Sequence, residues 1–308
     1  MSPPRPPALE ADDAQEGAQQ GRLPATEADR ARELAAWLAW VDDWARLMQL
    51  PPCDEAAPAR KRRGHTPLAL IFSPHPDDEC IVGALPLRLR RESHWRVCNV
   101  AVTLGSNQAR RQPRWHELRQ ACELLDFETL QLADGGLEQV RPDTPIAQPS
   151  LWQSHVDKAA ALLRREQPAL VLLPHEGDGI ATHMGVHRLA LDALQAAGYN
   201  GLVAQTEYWA PQSGANLMVE SSRQDLARLV QALSRHEGEV ARNPYHLRLP
   251  AWMADNVRRG GEMIAGAGTA PPAFGFATLY RLTRWLAGRE QDDLPPRMAG
   301  AAERLSLA

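Results

Sequence analysis

The run Ser73-Pro74-His75-Pro76-Asp77-Asp78-Glu79 places one imidazole and three consecutive carboxylates in a short turn. Adjacent carboxylates in a partly buried turn repel one another unless donors or a cation compensate. His75 and Asp78, three residues apart, can aim at one ion where a turn enters a helix. The competing explanation for the carboxylates alone is an acidic cap on a helix dipole, and the His-Pro entry favours the metal. The turn has no glycine, which excludes a dinucleotide fingerprint or a phosphate-binding loop there. A second stretch, Pro174-His175-Glu176-Gly177-Asp178-Gly179-Ile180-Ala181-Thr182-His183-Met184-Gly185-Val186-His187, offers a third ligand, since a catalytic zinc usually keeps three protein ligands and one open position. His183 and His187 share a helix face, but Met184 stands where a zincin carries glutamate. Spacing leaves His175, His183 and His187 open as candidates.

Both stretches follow apolar runs, and the elements that must position them can be read from periodicity. Short apolar segments at Leu68–Ser73, Val97–Leu104, Thr129–Leu132, Ala169–Leu173 and Leu202–Tyr208 alternate with helical patterns. The helical patterns fall after Glu79, near Arg114–Leu125, near Leu151–Arg165 and over His183–Ala197. Strands alternating with helices predict right-handed βαβ units and a mostly parallel sheet covered on both faces. Ligands bind such sheets outside the carboxyl ends of the strands, where both histidine stretches fall. Further on, the pattern predicts an antiparallel strand at Leu217–Glu220, a helix over Arg223–His236, irregular Pro- and Gly-rich chain to about Gly275, and a frayed last twenty residues. Upstream, residues 1–25 have little to bury and read as a disordered tail. Leu34, Trp37, Leu38, Val41, Trp44 and Met48 mark an amphipathic helix capped by Thr26 with Asp29 and ended by Pro51-Pro52. A linker to residue 66 follows.

With 308 residues, 44% apolar and 23% charged, the chain has enough apolar material for a core, which excludes disorder throughout. The net charge of −4 provides no general field for nucleic acid, and the basic run Arg60-Lys61-Arg62-Arg63 reads as solvated. No apolar stretch is long enough to span a membrane, and the N-terminus lacks an apolar signal segment. Four cysteines without a C-x-x-C pair suit a reducing, cytoplasmic setting. Oligomeric state is not legible from these features.

The segment Pro74-His75-Pro76-Asp77-Asp78-Glu79, with Val102-Thr103-Leu104-Gly105-Ser106 after the second strand and Arg114-x-x-Glu117-Leu118 opening the next helix, resembles the PIG-L/LmbE family of metal-dependent de-N-acetylases. The resemblance covers roughly residues 67–285. It implies an α/β fold, a Rossmann-like three-layer sandwich, with a deacetylase domain at 67–288 and a C-terminal tail at 289–308. It also implies Zn2+, with Fe2+ accepting the same donors, on His75, Asp78 and His183. Asp77 would be the general base, and Arg114 and Asp134 would contact substrate. The implied reaction is hydrolytic removal of an N-acetyl group from an N-acetylglucosamine-type sugar or its conjugate. Hydrolysis of another acylamine and an inactive metal- and sugar-binding protein are the alternatives. The family's second motif is His-x-Asp-His; here its first position is Ile180, so the proton donor or oxyanion role of that histidine falls to His175, Asp178 or His187. Cys80 reads as core packing. His236, Tyr245 and His246 are open between a substrate mouth and packing, and Trp115 and Trp209 between core and a sugar-stacking face.

Overall fold

The computed structural model describes residues 26–53, 55–58 and 66–307. The expected tail at 1–25 and the basic run Arg60–Arg63 lie outside the described residues.

Among the described residues, nine strands form one sheet: β1 (Leu68–Ser73), β2 (Arg96–Ala101), β3 (Glu128–Gln131), β4 (Leu170–Pro174), β5 (Gly201–Thr206), β6 (Leu217–Ser221), β7 (Phe276–Leu286), β8 (Arg289–Asp293) and β9 (Arg297–Ala299). The order is β3-β2-β1-β4-β5-β7-β6-β9, with β8 paired to β7. The first five strands are parallel throughout, and β7 lies antiparallel between β5 and β6. This 3-2-1-4-5 order is that of a doubly wound sheet, whose direction of winding reverses between β1 and β4. The α/β sandwich expected from the periodicity is therefore present.

The helices are α1 (Glu27–Leu47), α2 (Asp78–Ile81), α3 (Ala84–Ser93), α4 (Arg111–Leu125), α5 (Thr144–Ala147), α6 (Pro149–Glu166), α7 (Ala181–Ala197), α8 (Arg223–Leu233), α9 (Glu237–Arg242) and α10 (Leu249–Ala265). Alternation along the strands sorts the core into two layers. Leu68, Leu70 and Phe72 face one way and pack with Val156, Leu163 and Leu189 of α6 and α7. Ala69 and Ile71 face the other way, toward Leu85, Leu118 and Leu226 of α3, α4 and α8. The helix foreseen after Thr26 is α1, opened by the reciprocal Thr26–Asp29 capping box. Its Val41 and Ala45 are buried, and Trp37, Trp40 and Trp44 lean on the same core. Met48, expected on that stripe, caps the helix and is mostly exposed.

The C-terminal third departs from expectation. Where irregular chain is expected, α10 forms a 17-residue helix across β6 and β7. Gly260 and Gly261 break its apolar period, and packing explains Gly260: a Cβ there would meet Leu279 Cδ2 at 2.5 Å and Met218 Sδ at 2.9 Å. Strand β7 also goes unforeseen. The last twenty residues, expected to fray, supply β8 and β9, and Leu305 is buried. A fully buried Arg88 on α3 explains their order. Its guanidinium pairs with Glu92 at 2.7 Å and donates to the carbonyls of Glu220, Ala299, Gly300 and Glu303, while the Leu305 N–H donates to Glu92. A charge–carbonyl network of this kind leaves no apolar trace in the sequence.

Removing one partner of a buried ion pair strands the other charge, at a cost of about 3–5 kcal/mol. Arg88→Met should therefore lower the unfolding free energy by about that much in urea titration and expose the last fifteen or so residues to proteolysis. A loss under about 1 kcal/mol would show that Arg88 does not hold the C-terminal strands.

Candidate metal centre

The sheet brings the two histidine stretches together at its reversal point. His75 and Asp78 lie just beyond β1, and His183 opens α7 after the loop that leaves β4. His75 Nδ1 and His183 Nε2 are 3.1 Å apart, His183 Nε2 and Asp78 Oδ2 3.5 Å, and His75 Nδ1 and Asp78 Oδ2 3.8 Å. Donors at about 2.0–2.2 Å on a tetrahedral ion stand about 3.3–3.6 Å from one another, so this triangle fits one cation. The donor chemistry fits as well: two imidazoles and a carboxylate, converging in a buried site where Asp78 Oδ1 has no hydrogen-bond partner. Asp78 Oδ2 also accepts the His75 N–H at 2.8 Å, which fixes the carboxylate.

Electrostatics in the metal-free protein points the same way. Burial holds Asp78 well above the usual carboxylate range, reinforced by Asp77 and Asp178 and opposed by His183. Burial, His183 and Arg114 drive His75 well below the usual histidine range. Burial also pushes His183 down, but Asp78 and Asp178 outweigh it and the net shift is upward. A dication would relieve the carboxylates and use His75 in its neutral form.

A second group, Glu79, Cys80 and His236, is also close enough to suggest a metal. Its geometry argues for a hydrogen bond instead. Glu79 Oε1 and His236 Nε2 stand 2.6 Å apart, too near for two donors on one ion. The pair lowers Glu79 and raises His236 despite burial. Burial pushes the Cys80 thiol well up, and its Sγ lies 3.5 Å from Glu79 Oε1, in keeping with the core role expected for it. His236 is buried too, so it supports Glu79 and does not line a mouth.

Asp77 has φ 121°, a conformation that costs a non-glycine residue on the order of 1–3 kcal/mol. Local contacts hold it there: its N–H donates to Glu79 Oε2 at 2.9 Å, and the Tyr245 hydroxyl donates to its Oδ2 at 2.7 Å. Burial raises its pKa against the pull of His236, Arg114 and Tyr245. Arg114 lies 3.7 Å from the same Oδ2 and donates to the Pro76 carbonyl at 2.8 Å. It crosses Gly105, where a Cβ would meet its Nη1 at 2.5 Å. Asp134, the other expected substrate contact, is exposed in the turn after β3 and is not among the residues brought to the cluster.

The three candidates for the absent motif histidine each have partners in the fold. His175 bonds the Ala210 carbonyl at 2.8 Å and receives the Gly177 N–H, and His187 bonds the Pro174 carbonyl at 2.9 Å. Asp178 accepts the Tyr208 and Trp209 N–H groups on Oδ2 and sets Oδ1 3.0 Å from His183 Nδ1. The contact is an ion pair outside hydrogen-bond geometry, and a carboxylate set against the second ring nitrogen is the partner that orients a metal-binding imidazole. Half-buried Ile180 caps α7 and brings no polar atom. Tyr208, which sequence reasoning passes over as a strand end, sets its ring edge-on to His183 at 5.3 Å. Beside the cluster a cavity of about 310 Å3 opens, reached by His75 and lined by Thr103, Ser106, Gln108, Glu138 and Thr182. Its hydroxyl and amide groups suit a polyhydroxylated ligand.

Residues 70–194 match the family model described as PIG-L: GlcNAc-PI de-N-acetylase. No curated protein matches the chain. Among solved structures, a conserved protein of Thermus thermophilus is 18% identical with a TM-score of 0.53, covering 70% of this chain and 94% of its own. The 4-carboxy-2-hydroxymuconate hydratase of Pseudomonas putida is 17% identical with a TM-score of 0.52, covering 74% and 100%. The N,N'-diacetylchitobiose deacetylase of Pyrococcus horikoshii is 17% identical with a TM-score of 0.50, covering 72% and 84%. These likenesses establish the fold. Because that fold carries both a hydratase and a deacetylase, the reaction has to be argued from the residues.

A cation must displace the proton that Asp78 and Asp178 help His183 to hold, so metal affinity should fall as pH falls through the raised His183 value, with protons released on binding. Calorimetric zinc titrations at about pH 8 and pH 6 should show the weaker binding at the lower pH, and Asp178→Asn should weaken binding about 10–100-fold. Affinity independent of both pH and Asp178 would separate His183 from the metal.

Proposed function

Starting from a chain whose residues 70–194 match the PIG-L family model, we propose a zinc-dependent hydrolase that removes the N-acetyl group from an N-acetylglucosamine-type sugar or its conjugate. The carrying observation is a buried, strained aspartate next to a His-Asp-His triangle sized for one cation. His75, Asp78 and His183 would hold Zn2+, and Fe2+ accepts the same donor set. When bound, the ion supplies Lewis acidity toward the acetyl carbonyl and makes a water at the site acidic near pH 7.

The chain's own residues supply the rest. Tyr245 and Arg114 lie on Asp77 Oδ2, which leaves Oδ1 to take the proton from the attacking water. Burial gives that carboxylate enough basicity to accept the proton and to hand it to the leaving amine. Arg114 fixes the turn through the Pro76 carbonyl and lies close enough to steady a substrate oxygen. Thr103, Ser106 and Gln108 face the cavity in which the sugar hydroxyls would sit. Asp178 keeps His183 pointed at the site, while His175 and His187 serve the loop and the helix packing. No helix among the described residues is long and apolar enough to cross a membrane. The cysteine usage supports a cytoplasmic location.

The test is acetate release from N-acetylglucosamine conjugates by the zinc-loaded protein. Asp77→Asn should retain one metal per chain and lose about 10²–10⁴ in kcat, the usual worth of general-base assistance. Full activity in that variant would remove Asp77 from the chemistry. A zinc-loaded wild type that binds the sugar and releases no acetate would mark a binding protein of the same fold.

A further inference from the structure

Trp209 is a large apolar side chain left 39% exposed, yet it is firmly held. Its N–H lies 3.4 Å from Asp178 Oδ2, on the carboxylate that contacts His183. Its indole meets the Tyr245 ring at 5.6 Å, centroid to centroid, and the Trp252 ring at 6.4 Å. Tyr245 in turn donates its hydroxyl to Asp77. An exposed aromatic face thus stands one ring away from Asp77. The three rings come from the segment after β5 (Trp209), the first turn of α10 (Trp252) and the turn between α9 and α10 (Tyr245, itself buried). None of them lines the polar cavity, so the cluster has a polar flank and an aromatic one.

We propose that Trp209, braced by Tyr245 and Trp252, is a stacking subsite for an apolar ring carried by the aglycone of the amino-sugar conjugate; this rests on the de-N-acetylase reading above. The assignment follows from matching surfaces. Sugar hydroxyls suit the cavity lined by Thr103, Ser106 and Glu138. The acetyl side of the scissile amide ends in one methyl group, too small to cover an indole. The aglycone is the part of the substrate that remains to cover it, and rings that meet offset or edge-on add to affinity beyond the area they bury.

The probes are the 4-nitrophenyl and methyl β-glycosides of N-acetylglucosamine, presented to the zinc-loaded full chain and read by acetate release and by calorimetry. The wild type should prefer the aryl glycoside about three- to tenfold in kcat/KM and in Kd. Trp209→Ala should bring that ratio toward one, and Trp209→Phe should keep most of it. An unchanged ratio in Trp209→Ala, or no binding of either glycoside, overturns the subsite. A Trp209-dependent preference for N-benzoylglucosamine over N-acetylglucosamine, without an aryl-glycoside preference, overturns the aglycone assignment. If neither glycoside releases acetate while the calorimetric preference and its loss persist, the subsite stands and the hydrolase reading falls.

Discussion

Asp77, Asp78 and Glu79 are consecutive and buried, and three carboxylates cannot be buried side by side unless each has its own compensation. The backbone resolves the conflict by sending them in three directions. Asp78 turns to His75 and His183, Asp77 to Tyr245 and Arg114, and Glu79 to His236. The unusual φ of Asp77 is the local cost of that divergence, and the Glu79 carboxylate helps to hold it by accepting the Asp77 N–H. Much of the surrounding structure serves these partners. Helix α7 delivers His183, the segment after α8 delivers His236, and the turn before α10 delivers Tyr245.

The doubly wound sheet makes this convergence possible. Because winding reverses between β1 and β4, the loops leaving those neighbouring strands open into a crevice that no crossover covers. One loop carries His75 and Asp78, and the other carries Asp178 and leads to His183. The added antiparallel strands and α10 wall this crevice on the β5 side and bring aromatic rings to it, while the loops after β2 and β3 wall it with polar groups.

How much of this was legible in the sequence depended on the range of the interaction. Strands β1 to β5 and the helices between them show in local periodicity, and β1 is read to its exact bounds because six consecutive buried residues are flanked by prolines. His75, Asp77 and Asp78 share one turn, so their partnership is visible in the chain. His183 needed the family resemblance, since spacing alone did not rank it above His175 or His187. Tyr245 and His236 reach the turn across more than 150 positions, and only their types made them candidates. The C-terminal strands were missed because buried Arg88 and its carbonyl acceptors order them, and α10 because two glycines interrupt its period. His175 bonds the Ala210 carbonyl, His187 the Pro174 carbonyl, and Asp178 the Tyr208 and Trp209 N–H groups, so each residue considered for the role of a histidine at position 180 also ties neighbouring segments together.

The claim on which all else rests is that one ion sits on His75, Asp78 and His183 and not on Glu79, Cys80 and His236. X-ray absorption at the zinc edge of the zinc-loaded protein tests it directly. The account predicts nitrogen and oxygen scatterers alone at about 2.0–2.2 Å, with the imidazole signature of two histidines. A sulfur scatterer at about 2.3 Å would place the metal on Cys80 and contradict it.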